Sequence, residues 1–537
     1  MSRLLVLLLC VLVLPARVAA QDQALSALDA AFRAAQLGMA TQAGKALRQI
    51  GARAAAGEGP RGDLLRQRQE LGLRLRQIEE ALTAPDADRI ALAGEQEVLT
   101  TAIAGLDARL AAEFPDFAAL TAPRPLGVAE VQALLREGEA LILVYTGPSQ
   151  SDVFAISAEA AGWQTLPAGT GAVAEGVSLI RAALDPEAAT RSAAALDDGA
   201  EGPSRPGVFR RNVAYNFYSY LLAPLEPVFS GAPHLLIVTN GPLTSLPFSL
   251  FVTAPPEGDD ADPAALRATA WMIRDHALTT LPSVEALAVV RGLPPLPPPR
   301  LAFVGFGDPA LEGGSTLLAL SRGAGVMSRG LADVSQLRRL PALPQTRAEL
   351  QAIARTLGED RSQLILGAEA TETAVRQADL AGAGVVAFAT HGLLSGEIAG
   401  LDEPALVMSP PPVPSLADDG LLTASEIVDL KLGADWVILS ACNTAGGERP
   451  GAEGLSGLAR AFLFAGARSI LVSHWPVRDD AAARLTTATF DELASGRAHG
   501  KADALRRAML ALMDDPRDPT LAQPSAWAPF VVVGEGG

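Results

Sequence analysis

The chain has 537 residues, 43 of them basic and 60 acidic, for a formal charge of −17. Its length exceeds what one hydrophobic core organises and implies about two to four domains. The negative excess repels phosphate backbones and anionic lipid, which argues against nucleic acid as a partner.

Residues 1–20 read as a signal peptide. Arg3 supplies a basic start, Leu4 to Leu14 an apolar core, and Val18-Ala19-Ala20 small residues before Gln21. The apolar run is too short to span a bilayer. No later run of ~18 apolar residues occurs, so the mature chain is expected to be periplasmic or secreted, without a membrane anchor. Residues 21–120 are rich in Ala, Leu, Arg, Gln and Glu and read as helical. Leu64, Leu71, Leu75, Ile78 and Leu82 form one apolar stripe, and Leu99, Ile103, Leu106 and Leu110 form a second after Pro85. Two such stripes predict an antiparallel helical hairpin. Residues 24–56 would add a further helix pair. No repeat period of 30 to 50 residues is legible, so these helices are either packing elements or a docking site for a protein regulator.

Pro115, Pro123 and Pro125 mark a boundary, and residues 121–298 form the next unit. It holds a helix from Val128 to Leu135, paired strands at 140–145 and 153–156, and a buried strand at 235–238. A turn at Asn240-Gly241-Pro242 and a polar insert from Glu257 to Asp262 follow. The Pro-rich run 293–300 reads as an extended linker. Residues 299–537 then show a clear α/β rhythm, with strands expected at 301–305, 364–366, 385–389, 437–439, 470–472 and 530–533. Thr346-x-x-Glu349 and Thr423-x-x-Glu426 read as capping boxes that open helices. Strands alternating with helices predict the α/β class, a mostly parallel sheet covered on both faces. Active sites in such sheets gather outside the carboxyl ends of the strands.

The mature chain keeps one cysteine, Cys442, in Trp436-Val-Ile-Leu-Ser-Ala-Cys-Asn-Thr-Ala445; Cys10 lies in the leader. A lone thiol forms no internal disulfide, so Cys442 is either a packing residue or a nucleophile. His391 ends a second apolar strand, Val385-Val-Ala-Phe-Ala-Thr-His-Gly392, and precedes the cysteine by 51 residues. That order and spacing occur in caspase-type proteases. Either residue alone is more simply packing. Together, just past two strand ends and flanked by glycine and small residues, they form a candidate catalytic dyad.

The chemistry would be acyl transfer. His391 takes the thiol proton, Cys442 attacks a peptide carbonyl, His391 protonates the leaving amine, and water hydrolyses the acyl-enzyme. Backbone N–H groups of Gly392 and Cys442 would form the oxyanion hole, each contributing ~2.7–4 kcal/mol to the transition state. The other histidines carry less: His474, in Ser473-His-Trp-Pro476, reads as structural, and His234, His276 and His499 have no companion motif. No His, Cys and carboxylate set has zinc spacing, and no phosphate-binding loop, dinucleotide fingerprint or serine-hydrolase elbow is present. Neither a metal nor another cofactor is therefore expected.

These residues resemble the CHAT-domain family, caspase-like peptidases usually carried behind tetratricopeptide repeats in bacteria. The resemblance rests on Phe388-Ala-Thr-His-Gly-Leu-Leu394, Gly420-Leu-Leu-Thr-Ala-Ser-Glu-Ile427, Leu439-Ser-Ala-Cys-Asn-Thr-Ala445, Gly454-Leu-Ser-Gly-Leu-Ala-Arg-Ala-Phe462 and Ser473-His-Trp-Pro-Val477. Weaker matches, among them Gly241-Pro-Leu-Thr-Ser-Leu-Pro-Phe248, extend it from about Pro123 to the C-terminus. It implies a caspase/separase-like fold with His391 and Cys442 as the dyad, residues 299–537 as the active half, and residues 121–298 as a degenerate half. The helical region is too short for a repeat array, a departure from the family pattern. The resemblance also offers Asp308, with Glu403 behind it, as a binder of a basic P1 side chain, against the simpler reading of Asp308 as a turn aspartate. The substrate class would be protein or peptide. Rival functions are a non-catalytic scaffold with a caspase-like body and a thiol acyl hydrolase or transferase.

Overall fold

The computed structural model describes residues 25–39, positions 64, 67, 71, 74, 75 and 78, and residues 89–113, 125–184, 208–311, 334–393, 401–440 (except 402, 412–413 and 416–417) and 457–537. The leader, Cys10 and Cys442 lie outside the described residues.

Residues 25–38 form helix α1, and α2 spans Arg89–Glu113. Leu64, Ile78, Leu99 and Leu106, all members of the two predicted stripes, are buried. Arg74 Nε donates to Glu95 at 2.8 Å and ties the two stretches together. α1 has a different role from the one expected. Its Leu28, Phe32, Ala35 and Met39 join one apolar cluster with Leu141, Leu143, Phe154 and Ile156, so α1 packs on the sheet.

Among the described residues the first half of the sheet begins with β1 (Glu139–Thr146), β2 (Ser151–Ser157) and β3 (Ala161–Leu166), an antiparallel meander. Helices α3 (Thr170–Arg181) and α4 (Arg211–Leu221) lead to β4 (His234–Thr239) and β5 (Ala277–Thr280), parallel to each other; β1 pairs parallel with β4. The exposed 293–300 run carries no regular structure and enters β6 (Leu301–Gly307). There follow α5 (Pro344–Leu357), β7 (Ser362–Leu366), β8 (Ala383–Ala389) and three short strands, β9 (Gly392–Leu393), β10 (Ala405–Val407) and β11 (Leu421–Thr423). The chain closes with β12 (Trp436–Leu439), α6 (Gly457–Ala465), β13 (Ser469–Ser473), α7 (Asp479–Ala494), α8 (Lys501–Met513) and β14 (Phe530–Gly534).

Eleven strands form one sheet in the order β3-β2-β1-β4-β5-β14-β13-β12-β8-β6-β7. From β13 to β7 every pairing is parallel. The last strand joins the halves: β14 runs antiparallel to β13 and parallel to β5. The two halves therefore share a continuous sheet, and their strands run in opposite directions. Trp271 and Trp527, both fully buried, meet edge-to-face at 5.3 Å across the same junction.

Alternation along the strands assigns the two faces. Ala387, Ala389, Trp436 and Ile438 face one cluster, and Val386, Phe388, Val437 and Leu439 face the other. On the first face lies α5, whose Leu350, Ile353, Ala354 and Leu357 recur at helical spacing. On the second, Phe388 lies 5.0 Å from Phe306 and 5.2 Å from Phe462. Such ring pairs add about 0.5–1.5 kcal/mol each beyond the area they bury.

The capping-box readings divide. Thr423 and Glu426 cap the helix Ala424–Val428 reciprocally, as the motif predicts. Thr346 and Glu349 do not: α5 already begins at Pro344, whose fixed φ suits a first helical position. Thr346 Oγ1 donates back to Leu343 O at 2.8 Å, and Glu349 points into the interior.

Candidate active site

His391 lies two residues past β8, at the carboxyl edge shared by β6, β8, β12 and β13. Its backbone is held by the small sheet, because Val407 N donates to His391 O at 2.9 Å and Thr390 Oγ1 donates to Val407 O. The ring is half-buried, and its Nε2 lies 2.7 Å from Pro341 O. A carbonyl only accepts, so Nε2 carries the proton and Nδ1 keeps its lone pair. Burial lowers the ring's pKa below its ordinary value, against the opposing effects of the Pro341 hydrogen bond and the Asp479 charge. His391 is therefore a neutral base with one nitrogen already committed.

Pro341 is itself fixed by packing. Leu337, Leu340, Leu393, Leu401, Ala405, Val407 and Leu421 form a separate apolar cluster beneath β9–β11. Leu340, one residue before Pro341, is 1% exposed. The same cluster seats Leu393, two residues after His391. It thus positions both the imidazole and the carbonyl that sets its tautomer.

Gly392 occupies edge strand β9, opposite Leu406. Because His391 and Val407 form the hydrogen-bonded pair, Gly392 and Leu406 form the non-bonded one, and the Gly392 N–H faces away from β10. Asp308 follows β6 with φ of 51°, a left-handed conformation uncommon outside glycine. Its carboxylate is occupied by Arg347, at 2.7 Å from Nε and 2.6 Å from Nη2. Glu403 accepts from Ser425 N at 2.9 Å and Ser425 Oγ at 2.6 Å, so it secures the helix Ala424–Val428. His474 is buried after β13, where burial and the Arg181 charge push its pKa to about 3. Arg181 also donates to the carbonyls of Ser245 and His474, bridging the two halves.

Sequence reasoning did not place two neighbours at this rim. Asp479, the first residue of α7, bears electrostatically on His391, and its Oδ2 accepts from Gln345 N at 3.0 Å. Burial raises the Asp479 pKa above the ordinary aspartate value. Glu349, 3% exposed, accepts from Thr486 Oγ1 at 2.6 Å. Asp479 belongs to no local motif, and the capping-box spacing at Glu349 signalled a helix start instead; only the packing of α5 against α7 and the strand ends brings them to this rim. Among the described residues, no group of three or more His, Cys, Asp or Glu side chains has the geometry of a metal site. Among them, too, no helix is long and apolar enough to cross a membrane.

Comparison with known proteins places this rim in a family. The CHAT domain matches residues 211–535, a span that includes both His391 and Cys442. It starts later than the boundary near Pro123 that the sequence motifs suggest. Tetratricopeptide repeat protein 28 from Homo sapiens is 25% identical over 372 residues, covering 62% of this chain and 13% of that protein. The Mus musculus protein of the same name is 37% identical over 114 residues, 21% of this chain and 4% of that one. The chain thus spans a small part of the length of these curated relatives. Among solved structures, the Arg-specific cysteine proteinase gingipain R aligns with a TM-score of 0.34 and 12% identity, over 61% of this chain and 68% of its own. Separase in the Saccharomyces cerevisiae separase–securin complex aligns with a TM-score of 0.41 and 10% identity, over 79% and 31%. With the domain match covering more than half of its residues, the chain belongs to the CHAT domain family.

Proposed function

We propose that this chain is a caspase-like cysteine endopeptidase in which His391 and Cys442 form the dyad. The observation that carries the reading is His391 itself: a neutral imidazole, locked by Pro341 O, with no partner for Nδ1 among the described residues, at the carboxyl end of a strand adjacent to β12. The register supports it. Leu439 pairs with Phe388, and Cys442 stands at the same sequence offset from His391.

In this mechanism His391 Nδ1 accepts the Cys442 thiol proton, and the thiolate sulfur bonds to the scissile carbonyl carbon. The outward-facing Gly392 N–H donates to the developing oxyanion. His391 returns the proton to the leaving nitrogen as the C–N bond breaks, and water then cleaves the thioester with His391 as base. A basic P1 side chain would have to displace Arg347 from Asp308. The leader-like residues 1–20 favour an exported setting, and the N-terminal helices remain available to a protein regulator.

The test is labelling by an activity-based thiol probe on wild type, His391→Ala and Cys442→Ala. The mechanism expects modification at Cys442 that falls sharply without His391. Equal labelling in His391→Ala would refute the dyad. A peptide library then separates a peptidase from a thiol acyltransferase, because only the former releases a new N-terminus.

A further inference from the structure

Between α8 and the sheet, the described residues line a cavity of about 40 Å³. Its floor includes Thr239 and Thr280, the last residues of β4 and β5. The carboxyl edge of parallel strands is where ligands collect in such sheets. Leu243, Phe248, Leu278, Leu505, Met509 and Phe530 make most of the wall apolar. Ser249 and His474, 3% and 5% exposed, interrupt it. Ser249 Oγ and His474 Nδ1 are both buried, and neither has a hydrogen-bond partner among the described residues.

A buried hydroxyl or imidazole nitrogen left unpaired is costly, and folded proteins rarely keep one without a partner. Here two such atoms, one from each half of the sheet, line the same space. They are not bonded to each other, so His474 activates no hydroxyl nucleophile, and the pair is suited to binding rather than reaction. Other polar groups of the wall are already committed. Thr244 Oγ1 donates to Gly241 O at 2.6 Å. Arg506 Nε donates to Ile273 O at 3.0 Å, and its Nη1 pairs with Asp503 at 3.3 Å. Burial and the Arg181 charge keep His474 neutral, and no acidic residue is among the described lining.

The volume admits about three water-sized groups. A carboxylate would lose its hydration there with Arg506 already committed. A neutral head that both donates and accepts, on a short carbon stem, satisfies the two orphan atoms and meets Leu505 and Met509 with carbon. We propose that this cavity is a binding site for a small neutral carboxamide, whose oxygen and NH2 group serve Ser249 and His474. Its occupant lies beside the bridge in which Arg181 donates to the carbonyls of Ser245 and His474, at the junction of the two halves. The site uses neither His391 nor Cys442 and stands whether or not they form a dyad.

The experiment titrates acetamide into full-length protein carrying isotope-labelled methionine methyl groups and follows the Met509 methyl by NMR, its signal assigned with Met509→Leu. A saturable shift is expected, with a half-point on the order of 1–10 mM for so small a ligand. Ser249→Ala and His474→Leu should each raise that half-point roughly 3–10-fold, the loss of one hydrogen bond. Acetate, which keeps the shape and adds a charge, should bind at least about tenfold more weakly. If His474→Leu does not fold, Ser249→Ala is compared with Ser249→Val, which fills the space and should abolish the shift. No Met509 response up to about 100 mM acetamide would mean a cavity that holds water only, and would overturn the proposal. An equal response to acetate would overturn it too, as would wild-type half-points in the Ser249 and His474 variants.

Discussion

Replacing Glu349 with glutamine tests the buried carboxyl without reference to any reaction. An unfolded chain exposes Glu349 to water, where it ionises near 4.5; in the folded protein burial raises that point to about 7. The folded state therefore binds more protons between those values. The stability contributed by protonated Glu349 is complete below the unfolded value and is lost as pH rises through about 7. The interval corresponds to about 3 kcal/mol at its alkaline limit and about 1 kcal/mol at pH 5. Glutamine keeps the shape and the acceptor for Thr486 but cannot ionise. Urea denaturation at pH 5 and pH 8 should show the variant gaining about 2–3 kcal/mol on wild type between the two. Groups that titrate in both proteins cancel in that difference. Equal pH dependence in the two would show that Glu349 is solvated or paired with a cation, and the electrostatic reasoning would fail.

Three further perturbations follow from the packing. Leu340→Ala should cost about 2–5 kcal/mol in denaturation and also slow thiol labelling, since the Pro341 carbonyl loses its anchor; unchanged labelling would separate that cluster from His391. Gly307→Ala would place a Cβ 2.6 Å from Leu350 Cδ1 and 2.9 Å from Ala389 O. Its expected cost is about 1–3 kcal/mol, and a neutral urea midpoint would contradict the close approach of β6 to β8. Deleting residues 530–537 removes β14, which pairs with both β5 and β13. Circular dichroism should then show loss of cooperative unfolding, whereas a native-like transition would mean that the halves hold together without it.

Much of the architecture was legible in advance because its signals are local. Each apolar run proposed as a strand in residues 140–145, 153–156, 235–238 and from 301 onward is a strand in the sheet. Strands β3 and β5 escaped notice: Ala161-Gly-Trp-Gln-Thr-Leu166 is mostly half-buried and lacks an apolar run, and Ala277-Leu-Thr-Thr280 is short and half polar. β9 to β11, two or three residues each, exist because the Leu340 cluster and backbone pairing hold them. The Thr346–Glu349 motif misled for a related reason. A capping box describes what nearby atoms can do, whereas Thr486 offered Glu349 a partner far away in sequence.

The sequence by itself determined the α/β class, most of the strands and the family motifs, and it offered His391 and Cys442 as a candidate pair, because hydrophobic period and motif spacing are written along the chain. Only the tertiary structure decided that β14 joins the two halves, that Pro341 selects the His391 tautomer, and that Arg347 occupies Asp308. Those contacts join segments whose proximity depends on strand order and helix packing, and no local pattern encodes either.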